Sequence, residues 1–191
     1  MRPIVLIGSP GSGKGTQGRK LSEYFDIPHI STGDMLRDQV TRGTVIGFCV
    51  KETLDKGLLV PDELISTMLQ NRLKEEDCEL GYILDGFPRT VEQARWYYAH
   101  YEQPTVLVLD VPREEVMRRI AARGEGRTDD KDSSVVEGRM LEYDQFTAPL
   151  IGYYEREAYF HRVDATQGIE GTFNYITSLL EYTDLDRIAW G

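Results

Sequence analysis

A glycine-rich segment near the amino terminus combines the residue types that hold a phosphate group. It reads GSPGSGKGT over residues 8–16, between a predicted strand and a predicted helix. Glycines let successive backbone N–H groups point toward one anion, and the amino end of the following helix adds partial positive charge. The segment follows the pattern G-x-x-x-x-G-K-[ST], except that Gly15 stands in the Ser/Thr position and Thr16 comes one residue later. We therefore expect a nucleotide here, with Lys14 reaching its β- and γ-phosphates.

Two other interpretations of this segment are weaker. A tight turn between a strand and a helix needs one or two glycines but no lysine. Residues 13–18 also spell G-x-G-x-x-G, a dinucleotide-binding pattern, but that pattern starts after the turn has begun and runs into the helix. A nucleotide phosphate is the interpretation that uses both the glycines and the lysine.

Four later segments carry charged and polar residues that suit a second nucleotide. They read ISTGDMLR over 30–37, GLLVPD over 57–62, LDGFPRT over 84–90 with Gln93, and GRTDD over 126–130, leading to Arg139. Together with residues 8–17, which end in GKGTQ, these segments resemble the adenylate kinase family in five ordered blocks. Tyr143 and TAPLI at 147–151 continue the agreement, so it covers about residues 3–166.

The resemblance implies reversible phosphoryl transfer from MgATP to AMP, giving two ADP, without a protein nucleophile. ATP, AMP and ADP are then the partners, and the chain acts by in-line placement and charge stabilisation. The implied catalytic residues are Lys14, Arg89, Arg123, Arg127 and Arg139. The implied ATP-binding residues are Gly11, Ser12, Gly13, Lys14, Gly15, Thr16, Arg119, Arg123 and Gln167. The implied AMP-binding residues are Thr32, Arg37, Leu58, Leu59, Val60, Gly86, Phe87, Arg89, Gln93, Arg127 and Arg139.

Arginine suits this chemistry because its planar guanidinium binds phosphate through two hydrogen bonds and stays charged. Arg119 and Arg123 lie four residues apart on a predicted helix and therefore share one face. A single arginine is more often a solvated surface charge. Six arginines that fall together in the matched segments favour a binding role instead.

Asp85 is the candidate metal residue, because it ends a predicted buried strand where a carboxylate can hold the water shell of Mg²⁺. The resemblance implies this role, with Asp34 assisting. Gly15 removes the usual hydroxyl beside Lys14, so we expect Mg²⁺ to contact the protein through water. Long-lid members of the family often carry zinc ligands in an insertion, but the span from Arg123 to Arg139 is too short for one. We therefore expect a short lid loop and no structural zinc.

The choice of base is implied to rest on Thr32, the backbone at 58–60 and Gln93. Thr90 and Gln93 also form a capping box, in which the amide would serve a helix start. A uridylate or cytidylate kinase of the same architecture is the nearest rival. A nucleotide-operated switch is a second rival, but the chain has neither N-K-x-D nor D-x-x-G. The three histidines fit no relay and are interpreted as structural or surface residues.

These residues must be positioned by alternating strands and helices, a pattern that indicates a parallel sheet covered on both faces. Apolar runs predict five strands, at 4–7, 28–31, 82–85, 106–110 and 159–164. A first helix follows the glycine-rich turn, and apolar spacing predicts others at 34–41, 44–56, 62–75, 90–101, 113–123, 134–158 (kinked by Pro149) and 170–182. The expected fold is a P-loop three-layer α/β sandwich with a small helical AMP-binding insert. We expect a single domain with a core over 1–30, 61–123 and 137–191, an AMP-binding segment at 31–60 and a lid loop at 124–136.

The composition agrees with one globular domain. The chain has 191 residues, 40% of them apolar, and a net charge of −10 from 22 basic and 32 acidic side chains. Such a charge opposes nonspecific binding to nucleic acid and to anionic membranes. The two cysteines, Cys49 and Cys78, are too few for a disulfide scaffold or a four-cysteine zinc site. We expect a cytoplasmic monomer.

Overall fold

A computed structural model describes residues 1–122, 133–157 and 159–189. Its centre is one sheet in which five strands lie parallel in the order β2-β3-β1-β4-β5. The strands are β1 (Ile4–Ile7), β2 (His29–Ser31), β3 (Ile83–Asp85), β4 (Thr105–Asp110) and β5 (Phe160–Asp164). The five strands predicted from apolar runs are confirmed, with starts that differ by at most one residue.

Helices cover both faces of this sheet, as expected. They are α1 (Lys14–Phe25), α2 (Thr32–Thr41), α3 (Val45–Asp55), α4 (Asp62–Arg72), α5 (Val91–His100), α6 (Arg113–Ala122), α7 (Ser133–Glu142), α8 (Ala148–Tyr154) and α9 (Gly168–Ala189). A 3₁₀ turn covers Glu76–Cys78, and a π-helical turn at Tyr143–Thr147 joins α7 to α8. None of the helices in these described ranges is both long and apolar enough to cross a membrane.

The core divides into two layers because successive strand residues point to opposite faces of the sheet. Val5 and Ile7 of β1 pack with α2–α5 and α8, whereas Ile4 and Leu6 pack with α1 and α9. Because both faces are buried at the centre of the sheet, β1, β3 and β4 are continuously apolar except at their ends, whereas the edge strands β2 and β5 also contain polar residues. This arrangement confirms the predicted three-layer sandwich.

The helix predicted over 134–158 differs most from the structure. Pro149 lies in the first turn of α8 instead of kinking a continuous helix, and α8 ends at Tyr154. Proline has no N–H to donate one turn back, and the preceding Ala148 N–H bonds to the carbonyl of Tyr143, five residues earlier. The helical stretch predicted over 134–158 is therefore observed over 133–154, with a π-helical turn at Tyr143–Thr147 in place of a kink at Pro149. The last helix also starts earlier and ends later than predicted, at Gly168–Ala189.

The segment between β2 and α4 consists of α2 and α3, which pack closely. Ser31 caps α2 by accepting a hydrogen bond from the Asp34 N–H, and Thr44 caps α3 by accepting one from Gly47. A Cβ atom at Gly47 would lie only 2.1 Å from the backbone oxygen of Gln39. Glycine therefore allows the backbones of the two helices to touch.

Candidate active site

A cavity of about 870 Å³ opens at the carboxyl ends of β1, β2 and β3. Parallel strands place the loops that follow them at one edge of the sheet, where ligands of such folds bind. The cavity brings together most of the residues that the sequence analysis named. Those that line it are Gly11, Gly13, Lys14, Gly15, Thr16, Thr32, Asp34, Arg37, Leu58, Leu59, Val60, Asp85, Gly86, Arg89, Gln93 and Arg139.

The glycine-rich loop after β1 has a backbone that requires glycine. Gly11 and Gly13 have φ angles of 84° and 103°, and Gly13 is the residue that precedes α1. A Cβ atom at Gly11 would also lie 2.8 Å from a side-chain carbon of Ile120. Lys14 Nζ donates to the carbonyl oxygens of Gly8 and Ser9, at 2.6 and 2.9 Å. The ammonium group thus lies at the mouth of the loop, where a phosphate would meet it.

Asp85 ends β3 beside this loop, and its side chain is only 14% exposed. Burial acts to raise the pKa of this carboxyl, but His29, Lys14 and Arg89 lower it, so that the net pKa lies below its ordinary value. Asp85 therefore remains a carboxylate inside a cavity lined by cationic side chains. A Cβ atom at Gly15 would lie 3.5 Å from its Oδ2 atom, so bare backbone faces the carboxylate at the position where the pattern has a hydroxyl.

His29 packs against Asp85, a contact that was not predicted when the histidines were interpreted as structural or surface residues. Its Nε2 atom lies 3.6 Å from Oδ2 of Asp85, and its side chain is 9% exposed. Gly18 of α1 makes room for the ring, because a Cβ atom there would lie 2.4 Å from Nε2. No residue spacing links these three positions, so the sequence offered no signal for the contact.

Arg89 is held in the cavity by hydrogen bonds with three other residues, two of which involve its backbone. Its Nε atom donates to the Gly86 carbonyl at 2.9 Å, and its backbone N–H donates to Gln93 Oε1 at 2.7 Å. Thr147, in the π-helical turn, donates from its hydroxyl to the Arg89 carbonyl at 3.1 Å. The sequence analysis gave Thr147 no role, although it lies in the matched run at 147–151.

Gln93 combines the two alternatives that the sequence left open. Its backbone N–H bonds to Thr90 Oγ1 and its Oε1 serves the start of α5, as in a helix cap. The same side chain lines the cavity and donates from Nε2 to Asp62 at 2.6 Å. Thr32 lies nearby and donates to the Gly86 carbonyl at 2.9 Å. The amide is thus fixed in orientation at the cavity wall.

Arg37 and Asp34, one turn apart on α2, form an ion pair at the cavity wall. The Asp34 side chain is 65% exposed and accepts a hydrogen bond from the Arg37 guanidinium. This pairing places Asp34 with a predicted phosphate ligand.

Glu142, at the end of α7, is a cavity residue that the sequence analysis did not name. Burial raises the pKa of its carboxyl, while a hydrogen bond from the Leu59 N–H and the charge of Arg89 oppose that rise. Its position three residues after Arg139 places both side chains on one helix face, and that spacing was the available signal.

Four of the named residues lie outside the cavity lining. Ser12 is buried in the loop, and Phe87 belongs to the core, packed edge-on against Trp96. Arg119 donates to the carbonyls of Ser12 at 3.4 Å and Ala165 at 2.8 Å, so it joins the glycine-rich loop to the turn after β5. Gln167 is exposed in that turn.

Arg123, Arg127 and most of the predicted lid loop at 124–136 lie outside the described residues. Among the residues that are described, no cluster of three or more His, Cys, Asp or Glu side chains could hold a metal ion. Asp85 alone offers a carboxylate directly beside the glycine-rich loop. A divalent cation bound here would therefore take most of its ligands from phosphate and water, which suits Mg²⁺.

A family model described as adenylate kinase matches residues 6–159. The chain is 44% identical to the adenylate kinase of Xanthomonas euvesicatoria pv. vesicatoria over 184 residues, covering 93% of this chain and 98% of that protein. It is 40% identical to that of Leptospira biflexa over 183 residues, covering 92% and 98%. It is also 40% identical to that of Archaeoglobus fulgidus over 212 residues, covering 93% and 97%. Because this chain has only 191 residues, the archaeal protein carries residues that this chain lacks.

Proposed function

This chain belongs to the adenylate kinase family and transfers a phosphoryl group reversibly from ATP to AMP, and we propose that the cavity at the carboxyl edge of the sheet is its active site. One observation carries the proposal. Lys14, Asp85, Arg37, Arg89 and Arg139 reach a single cavity from five different elements. The side chains of Lys14 and the three arginines share this cavity with the carboxylate of Asp85, which suits the phosphates of two nucleotides with a Mg²⁺ ion.

The acceptor AMP occupies the half of the cavity between α2 and β3 in this proposal. Arg37 and Arg89 bind its α-phosphate, and Arg139 approaches from α7. Thr32, Gln93 and the backbone of 58–60 contact the base. Support comes from the fixed orientation of Gln93, which is hydrogen-bonded at both ends of its amide. The ion pair with Asp34 opens when the phosphate takes its place on Arg37.

The donor ATP lies over the glycine-rich loop. Backbone N–H groups of 11–16 cradle its phosphates and Lys14 moves from the Gly8 and Ser9 carbonyls to the β- and γ-oxygens. Arg119 and Gln167 belong to the adenine side, where Arg119 joins the loop to the turn after β5. Arg123 and Arg127, which the family resemblance implies as catalytic residues, complete the charge stabilisation in this proposal.

Mg²⁺, when bound, would supply positive charge that stabilises the charge developing on the phosphates during transfer. Asp85 holds its water shell, as the low pKa of this carboxyl and its place beside the loop support. Gly15 presents no hydroxyl, so the protein would hold the metal through water and not through a side chain at this position. The protein supplies no nucleophile, and the AMP phosphate oxygen attacks directly in line.

Closure over both substrates involves two segments, 31–60 and the lid at 124–136, around the core of 1–30, 61–123 and 137–191. Both nucleotides must be enclosed because water is a competing acceptor. One cavity contains both the donor loop and the acceptor arginines, which supports a monomer as the working unit. Free thiols at Cys49 and Cys78 support a reducing compartment such as the cytoplasm.

Two substitutions test the placement of the site. Lys14→Met and Arg89→Ala should each lower turnover by about 10³-fold or more, because each removes charge at the transferring group. Lys51→Met and Arg95→Ala remove exposed charges of the same types and should leave turnover within about twofold of the wild type. Near-normal turnover of a folded Lys14→Met or Arg89→Ala protein would refute the placement.

The identity of the acceptor is tested by comparing AMP, CMP, UMP and GMP in a coupled assay. AMP should be preferred, and a preference for CMP or UMP would favour the pyrimidine kinase alternative. Two adenosines joined by five phosphates should bind across both halves. Loss of affinity in both Arg37→Ala and Arg123→Ala proteins, each by roughly 30-fold or more, would place the two halves in one cleft.

A further inference from the structure

Arg119 of α6 joins the two segments that the proposed function assigns to the donor nucleotide. Its Nη2 atom donates to the carbonyl oxygen of Ala165 at 2.8 Å, in the turn after β5. Its Nη1 atom donates to the carbonyl oxygen of Ser12 at 3.4 Å, in the glycine-rich loop. The guanidinium therefore lies between the segment proposed for the donor phosphates and the segment proposed for the donor base.

Glu115, one turn earlier on α6, binds the remaining nitrogen of this guanidinium. Nε of Arg119 donates to Oε1 of Glu115 at 2.8 Å, and each of the two side chains is 24% exposed. All three guanidinium nitrogens thus donate to protein oxygens. Because the group is planar and rigid, three such bonds fix its orientation as well as its position. Loss of Glu115 would leave only the two bonds to backbone carbonyls.

The same carboxylate also binds Arg118, and the two arginines differ in what else they reach. Arg118 is 72% exposed and donates to both carboxylate oxygens of Glu115, at 2.7 and 2.8 Å. An ion pair of this exposed kind contributes little to stability. Arg119 is far less exposed and contacts two other segments of the fold. The contact between Glu115 and Arg119 is therefore the one that can affect the donor site.

We propose that Glu115 is a positioning residue for ATP, which fixes the guanidinium of Arg119 between the glycine-rich loop and the turn after β5. This inference rests on the proposed function, in which Arg119 belongs to the adenine side of the donor site. Hydrogen bonds from Arg118 and Arg119 lower the pKa of the Glu115 carboxyl to about 2. The side chain is therefore a carboxylate throughout the pH range of a kinase assay.

The sign of the effect on ATP distinguishes positioning from a general effect of charge. A carboxylate near a polyanion repels it, so removal of the charge alone should lower the KM for ATP. Removal of the contact that orients Arg119 should raise it instead. Glu115→Ala removes both the charge and the contact, whereas Glu115→Gln removes the charge but keeps an acceptor oxygen for Nε of Arg119.

Steady-state kinetics of four variants test the proposal. Glu115→Ala should raise the KM for ATP about fivefold, the loss expected for one net hydrogen bond, with kcat and the KM for AMP within about twofold. Glu115→Gln should keep all three parameters within about twofold. Arg118→Ala is the matched control, because it removes the exposed partner of the same carboxylate, and it should also stay within about twofold. Arg119→Ala should raise the KM for ATP by at least as much as Glu115→Ala.

A double-mutant cycle shows whether Glu115 acts through Arg119. In an Arg119→Ala background, Glu115→Ala should change the KM for ATP by less than about twofold, because the group that it orients is absent. If Arg119→Ala does not fold, Arg119→Lys takes its place, since an ammonium keeps the charge but not the planar set of three donors. A full fivefold rise in either background would refute positioning through Arg119.

The remaining outcomes separate this inference from the function itself. A normal or lowered KM for ATP in Glu115→Ala, with a raised one in Arg119→Ala, overturns the positioning role alone. Normal values in both variants overturn the placement of Arg119 in the donor site as well. Equal rises in the KM for ATP and for AMP, with a lower midpoint of urea unfolding, would assign the pair to the fold and refute the inference.

Discussion

Replacing Gly18 by alanine should destabilise the protein, although the change would stabilise an ordinary helix. Gly18 lies within α1, where alanine is favoured over glycine by about 1 kcal/mol. Here a new Cβ atom would lie 2.4 Å from Nε2, 2.5 Å from Cδ2 and 3.1 Å from Cε1 of the His29 ring. All three distances are well inside van der Waals contact with carbon. The ring must move, and its Nε2 atom also lies 3.6 Å from Oδ2 of Asp85.

The size of the effect follows from these opposing contributions. Overpacking a well-filled interior costs about 1–3 kcal/mol, and the His29 side chain, at 9% exposure, has little free space. After subtraction of the gain in helix propensity, Gly18→Ala should lower the free energy of unfolding by up to about 2 kcal/mol. In a His29→Ala background the ring is absent, so the same change should raise it by about 0.5–1 kcal/mol.

Equilibrium urea unfolding, followed by far-ultraviolet circular dichroism, measures this double-mutant cycle. Gly152→Ala is the matched control, because Gly152 lies in α8 and no heavy atom would come within 4 Å of a new Cβ atom. That control should gain about 0.5–1 kcal/mol. The reasoning is refuted if Gly18→Ala is as stabilising as Gly152→Ala, or if its cost persists when His29 is absent.

Other perturbations have equally definite expectations. At pH 8 a thiol reagent should modify the exposed Cys49 rapidly and Cys78 only after unfolding, because burial raises the pKa of the Cys78 thiol to about 11; rapid labelling of a Cys49→Ser protein would contradict this. Gly47→Ala should cost about 3 kcal/mol or more in urea unfolding, since the new atom meets backbone at 2.1 Å; a change within about 0.5 kcal/mol would contradict the close helix contact. Burial raises the pKa of Tyr82 to about 12 from 10, so the folded state keeps a proton that the unfolded chain releases. Stability from this hydroxyl is therefore complete below pH 10 and lost between pH 10 and 12, by about 1.4 kcal/mol per pH unit. The same slope in Tyr82→Phe would show that other groups cause the loss.

Much of the fold and the cavity was predictable because local residue types determine it. Apolar runs between turns predict buried strands, and the carboxyl ends of parallel strands must share an edge, so Lys14 and Asp85 were expected to meet. The arginines expected to bind AMP were predicted from the resemblance to the family, and Arg37, Arg89 and Arg139 do line that cavity.

The remainder depends on contacts between elements that no spacing encodes. His29 meets Asp85 only because Gly18, on another element, leaves room for the ring. Gln93 matched two patterns, and only the tertiary position of Asp62 shows that its amide serves the helix start and the cavity wall together. Pro149 was a correct signal of irregularity, but the sequence did not indicate that the irregularity would be a π-helical turn at Tyr143–Thr147.

The π-helical turn at 143–147 makes the number of residues in this stretch as consequential as their identity. Each residue advances an α-helix by about 100°. Deleting one residue there would restore ordinary α-helical geometry and rotate α7 by about that angle relative to α8. Leu150 and Tyr154 would keep their places in the interior, whereas Arg139 and Glu142 would rotate away from the cavity that they line. The extra residue changes the rotation between the two helices. It therefore allows α8 to pack in the interior while Arg139 and Glu142 of α7 line the cavity.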